Sequence, residues 1–65
     1  MNDRDRFADA LLYAGLAPVA SHHEDKLFLQ VAVESYGNPY SLTFEFSDAG
    51  GHFLGIRVNQ TRERV

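Results

Sequence analysis

Two periodicities divide this chain. From Asp3 to Ala14 apolar residues recur at helical spacing: Phe7, Leu11 and Ala14 stand at i, i+4 and i+7, and Ala8, Ala10 and Leu12 widen the stripe. Asn2 or Asp3 is placed to accept the free N–H groups of the first turn, and Asp3 and Asp5 suit its positive dipole end. Gly15 offers the left-handed position that closes a helix, with Leu16 set for the hydrophobic contact of a Schellman ending, and Pro18 prevents continuation.

From Lys26 the period becomes two. Leu27, Leu29, Val31 and Val33 share one face of Lys26 to Glu34. Leu42, Phe44 and Phe46 alternate with Ser41, Thr43 and Glu45, and Leu54, Ile56 and Val58 alternate with Phe53, Gly55, Arg57 and Asn59. The separators Tyr36-Gly37-Asn38-Pro39 and Asp48-Ala49-Gly50-Gly51 are rich in turn formers, and connections this short join antiparallel neighbours. Val19 to Asp25 reads either as a loop or as a short edge strand at 19–23 turning at Glu24-Asp25.

A one-residue slip would turn the apolar set outward, so the pattern restricts the pairing. Setting Val33 opposite Leu42 aligns Val31 with Phe44 and Leu29 with Phe46, across a loop from Tyr36 to Pro39. Setting Phe46 opposite Leu54 aligns Phe44 with Ile56 and Leu42 with Val58, across Ala49-Gly50-Gly51. The expected fold is therefore α+β: one N-terminal helix on a three-stranded antiparallel meander (αβββ), with the segment 19–23 as an optional fourth edge strand. The expected core is Phe7, Leu11, Leu29, Val31, Val33, Leu42, Phe44, Phe46, Leu54, Ile56 and Val58. The opposite face is flat and polar except for Phe28 and Phe53, with Glu45 and Arg57 diagonal to one another. Two rings on an otherwise polar face are the kind of apolar patch that marks a contact site.

Composition narrows the chemistry. With 65 residues the chain is a single domain, 1–65, with a polar tail over 60–65, and a domain this short has a marginal core. The 45% apolar and 23% charged content is that of an ordinary globular chain and excludes disorder. There is no Cys, hence no disulfide and no thiolate metal site. No apolar run reaches the length of a membrane span, and the polar start from Met1 to Asp5 lacks the apolar core of a signal peptide, so the expected setting is cytoplasmic.

The net charge of −3, with basic residues scattered among acidic ones, argues against a nucleic-acid partner. His22, His23 and His52 lack the spacing of a metal site, although His52 falls opposite Asp48 at a hairpin mouth. No metal and no cofactor is expected. Nucleophiles are equally scarce: Lys26 is the sole lysine, no Ser sits in a GxSxG turn, and Gly50-Gly51 precedes no helix, so no enzymatic activity is expected.

A helix ending in Gly15, followed by Ser21-His22 ahead of a strand with His23 beside it, is similar to the HicA-type toxins, small RNA-cleaving domains of toxin–antitoxin pairs. That resemblance implies His22 as the catalytic residue. The chain departs from the pattern in lacking a glycine before Ser-His, a second C-terminal helix and a basic surface. It stands as the alternative, beside a purely structural or scaffold subunit. The expectation the residues favour is a small acidic, non-catalytic protein-binding module that inhibits or regulates a larger partner. Phages and mobile elements often encode chains of this size and composition to block host machinery, including CRISPR effectors. The candidate partner-binding residues are Phe28, Phe53, Arg57 and Glu45 on the sheet and Asp5 and Asp9 on the acidic helix face. A homodimer through the last strand's edge or the sheet face is the second expected contact.

Overall fold

The computed structural model describes residues 2–60. Helix α1 (Asp3–Tyr13) leads into β1 (Val19–His23), β2 (Lys26–Ser35), β3 (Asn38–Ser47) and β4 (Phe53–Gln60). The strands form one antiparallel sheet in the order β1-β2-β3-β4, so the α+β expectation holds and the optional edge strand is present. Gln60, expected to begin a polar tail, is the last residue of β4, and the remainder of that tail lies outside the described residues.

The ends of α1 follow from its sequence. The Asn2 side chain accepts the Asp5 N–H at 2.9 Å. At the other end the Gly15 N–H donates to the Leu12 carbonyl and the Leu16 N–H to the Leu11 carbonyl, the two bonds of a Schellman closure, with Gly15 at φ 87°. Two further bonds tie the start of α1 to the hairpin between β3 and β4. The Arg4 N–H donates to the Gly51 carbonyl at 3.1 Å, and the Phe53 N–H donates to Asp3 Oδ2 at 2.9 Å.

The register between β2 and β3 differs from the sequence expectation by two residues. Val33 faces Tyr40, Val31 faces Leu42, Leu29 faces Phe44 and Leu27 faces Phe46. The cause is the turn. Tyr36 and Gly37 both take positive φ (53° and 79°), the backbone of a two-residue hairpin, and Ser35 already pairs with Asn38 where a four-residue loop was expected. A shift of two preserves the faces.

Between β3 and β4 the pairs Phe44–Ile56 and Leu42–Val58 form as expected, but a bulge at Glu45/Phe46 sets Phe46 opposite Phe53 instead of Leu54. The inserted residue rotates Phe53 onto the helix side. There Phe53 stacks on Phe7 (centroids 5.0 Å apart, planes at 23°), while Phe7 also meets Phe44 and Phe46 edge-on at 5.5 and 5.3 Å.

The core is smaller than the alternation implied. Leu29, Val31 and Phe46 are fully buried, whereas Leu54, Ile56 and Val58, all expected inside, are exposed. The helix explains this. It is anchored at the Phe53 end of β4 and leads to β1, so among the described residues no layer lies above the Val58 end of β4. The Cα radius of gyration is 12.6 Å against about 11 Å for a compact chain of this length, and the extents are 41 × 27 × 15 Å. The described residues form a plate in which α1 covers part of one sheet face and the other face carries no layer.

Candidate functional site

On the face that α1 does not cover, the registers align Ser21, Phe28, Glu45 and Gly55 in one row and Val19, Gln30, Thr43 and Arg57 in the next. Phe28 is half-buried and flanked by charge. Glu45 Oε2 lies 2.8 Å from Lys26 Nζ, and its Oε1 lies 3.7 Å from Arg57 Nη2. These residues, with His23, Glu24 and Asp25 from the turn between β1 and β2, line a groove of about 190 Å³. Its length is set by strand spacing: Glu45 and Phe28 are direct cross-strand partners, so ring and carboxylate stand side by side.

The hydrogen bond from Lys26 holds the Glu45 carboxyl below its ordinary value, helped by the positive charges of Lys26 and Arg57 and opposed by desolvation. The same hydrogen bond raises Lys26 above its ordinary value. The sign of the pH dependence follows. A depressed carboxyl stabilises the fold above its unfolded value of 4.5 and loses that contribution as pH falls through the folded value. A raised amine stabilises below 10.5 and loses the contribution as pH rises through the folded value. Glu45→Gln is therefore expected to leave a thermal midpoint less sensitive to acid below about pH 4.5 than that of the unmodified chain, measured by circular dichroism at pH 3 to 7. Identical acid limbs in the two proteins would show that the pair contributes nothing.

The structure brings together three of the six residues the sequence singled out: Phe28, Glu45 and Arg57. Phe53 is corrected to the opposite face, where it stacks on Phe7. Asp5 and Asp9 lie on α1, Asp5 bonded to Arg4 at 3.1 Å, and neither lines this groove.

Asp48 pairs with His22 at 3.3 Å, where His52 had been the expected partner, because β1 brings His22 alongside Leu27 at the same end of the sheet. Sequence reasoning passed over two residues. Lys26 was read as a strand start and as the sole lysine but not as a groove residue, although its i, i+2 spacing from Phe28 placed it on the same face. Tyr36 was read only as a turn residue, yet it is fully exposed and held at φ 53° at the hairpin tip, an uncommon backbone for a ring that packs on nothing.

Chemically the groove sets an aromatic ring beside side chains of both charge signs. Its one well-covered carboxylate is already neutralised by two cations, which makes it a poor base, and no Ser, Thr or Cys lines it. Among the described residues no cluster of three or more His, Cys, Asp or Glu side chains could hold a metal ion, and no helix is long and apolar enough to cross a membrane. No protein-family model matches the chain, and neither a curated protein nor a solved structure matches it.

Proposed function

We propose that this chain is a non-catalytic module that binds a larger protein through the helix-free face of its sheet and thereby inhibits or regulates it. The observation that carries the reading is Phe28, an aromatic anchor in a shallow groove, rimmed by the Lys26–Glu45–Arg57 ion pairs. An aromatic centre with a charged rim is the usual anatomy of an interface hot spot. The rim offers both signs of charge, so it fits a partner surface that pairs with each, and a uniformly anionic nucleic acid would meet Glu45, Glu24 and Asp25. Within this reading the setting is the cytoplasm, and a phage or mobile-element inhibitor of host machinery such as a CRISPR effector is the kind of protein it describes. Self-association through β4 belongs to the same proposal and is taken up below.

The test is affinity capture from host lysate with the tagged chain and two variants. Phe28→Ala removes the anchor. Arg57→Ala removes an exposed part of the rim without touching the core. A stoichiometric partner held by the unmodified chain, and held at least about 30-fold more weakly by folded Phe28→Ala, supports the reading. A partner retained equally by both variants removes the groove from the site. The alternative has its own observation, the His22 imidazole 3.3 Å from the Asp48 carboxylate, a geometry that orients a general base. RNA cleavage by the purified chain that His22→Ala abolishes would replace the binding reading with the HicA-like one.

A further inference from the structure

The two edges of the sheet are not alike. β1 spans five residues and ends in His22-His23, the kind of short, polar edge that discourages pairing. β4 spans eight residues, Arg57 is its one charged side chain, and Phe53, Leu54, Ile56 and Val58 on it are 40–61% exposed. Among the described residues, four of the eight exposed large hydrophobic side chains therefore sit on this one edge. The bare half of the sheet adjoins it. Phe44, the cross-strand partner of Ile56, also walls an apolar groove of about 330 Å³ beneath Arg6, Phe7, Ala10 and Leu11 of α1.

We propose that the occupant of this edge is a second copy of the chain, paired antiparallel β4 to β4 about a two-fold axis at Ile56, giving one eight-stranded sheet. The proposal goes beyond the Phe28 groove, with which it shares only Arg57 and Glu45, and supplies the register that self-association through β4 requires.

The register follows from the order of residues along the strand. About Ile56 the sequence is self-complementary: Leu54 faces the partner's Val58, Ile56 faces its own counterpart, and Gly55 faces the partner's Arg57. A centre at Arg57 sets two guanidinium groups directly opposite one another. A centre at Gly55 leaves Val58 facing the partner's His52. A half-step register sets Ile56 against arginine and places the two helical layers on opposite faces.

Charge supports the same choice. Beyond Gly55 in the row stands Glu45, and space is open where a Cβ on Gly55 would lie. With strands about 4.8 Å apart, the partner's Arg57 can reach across the missing side chain to the Glu45 carboxylate. Coverage is complementary as well. Antiparallel pairing brings the helix-covered Phe53 end of one copy beside the bare Val58 end of the other, with both helices on one side of the joined sheet.

The absence of cysteine gives a clean test. Sedimentation equilibrium at about 100 µM, a concentration that fills standard-size interfaces of micromolar affinity, is expected to give twice the 7.3 kDa chain mass. Single-cysteine chains then read the register under mild oxidation. Ile56→Cys is expected to cross-link to itself, since opposed Cα atoms in a sheet lie within disulfide reach. Val58→Cys alone is expected not to link, whereas Val58→Cys mixed with Leu54→Cys is. A mass of one chain, or a Val58→Cys homodimer forming faster than the Ile56→Cys one, overturns the proposal. Phe28→Ala is expected to leave the mass unchanged, so failure of the partner-binding reading and failure of the dimer are separately visible.

Discussion

Phe46→Ala is expected to unfold the protein or to lower its thermal midpoint by roughly 12–40 °C, from a loss of about 3–5 kcal/mol. Among the described residues Phe46 is the large side chain at 0% exposure, and its ring meets Phe7 at 5.3 Å and Phe53 at 5.8 Å, so truncation opens a cavity at the junction of helix, β3 and β4. A domain of this length holds only about 3–10 kcal/mol in total, so the loss is comparable with the whole. Leu12→Ala is the matched comparison. That side chain is 59% exposed on α1, and its removal is expected to cost less than about 1 kcal/mol. Far-UV circular dichroism melts of the two variants decide the matter. A Phe46→Ala midpoint within a few degrees of Leu12→Ala would show that the contacts of Phe46 with Phe7 and Phe53 are not what holds the helix on the sheet.

That contrast also marks what could be read from the chain. Alternation in Leu42-Thr43-Phe44-Glu45-Phe46 gave the strand and its buried face but did not single out Phe46, because period-two patterning carries no information about where a helix will lie. The helix position depends on the bonds from Arg4 to Gly51 and from Phe53 to Asp3, which join residues some fifty apart and leave no local signature.

The misplaced register at Tyr36-Gly37 has a similar origin. An aromatic at positive φ is rare, so the composition of the turn favoured the longer loop with Pro39 in it, while the structure keeps Pro39 within β3 opposite Glu34. Phe53 went to the wrong face because one extra residue, invisible in an alternating pattern, reverses everything beyond it. The Phe28–Glu45–Arg57 association was legible in outline, since a register error of two leaves each side chain on its own face. Its tightening around Lys26 was not, because that depends on which residue stands directly opposite.

The second large effect concerns Gly51. Its φ is 65°, and a Cβ built there would lie 2.7 Å from Asn2 Nδ2 and 2.8 Å from Asn2 Cγ. Asn2 cannot yield freely, because its side chain caps α1 through the Asp5 N–H while the Gly51 carbonyl receives the Arg4 N–H. Gly51→Ala therefore combines left-handed strain, about 1–2 kcal/mol, with loss of the cap, about 1 kcal/mol, and is expected to destabilise by about 2–3 kcal/mol. Gly15→Ala separates the two causes: φ is 87° there but nothing lies within 4 Å of the added methyl, so only the backbone contribution remains. The decisive measurement is a double-mutant cycle by urea denaturation. In an Asn2→Gly background the clash has no target, and Gly51→Ala is expected to cost no more than Gly15→Ala does. Strict additivity of Asn2→Gly and Gly51→Ala would instead mean that the hairpin and the helix cap are energetically independent.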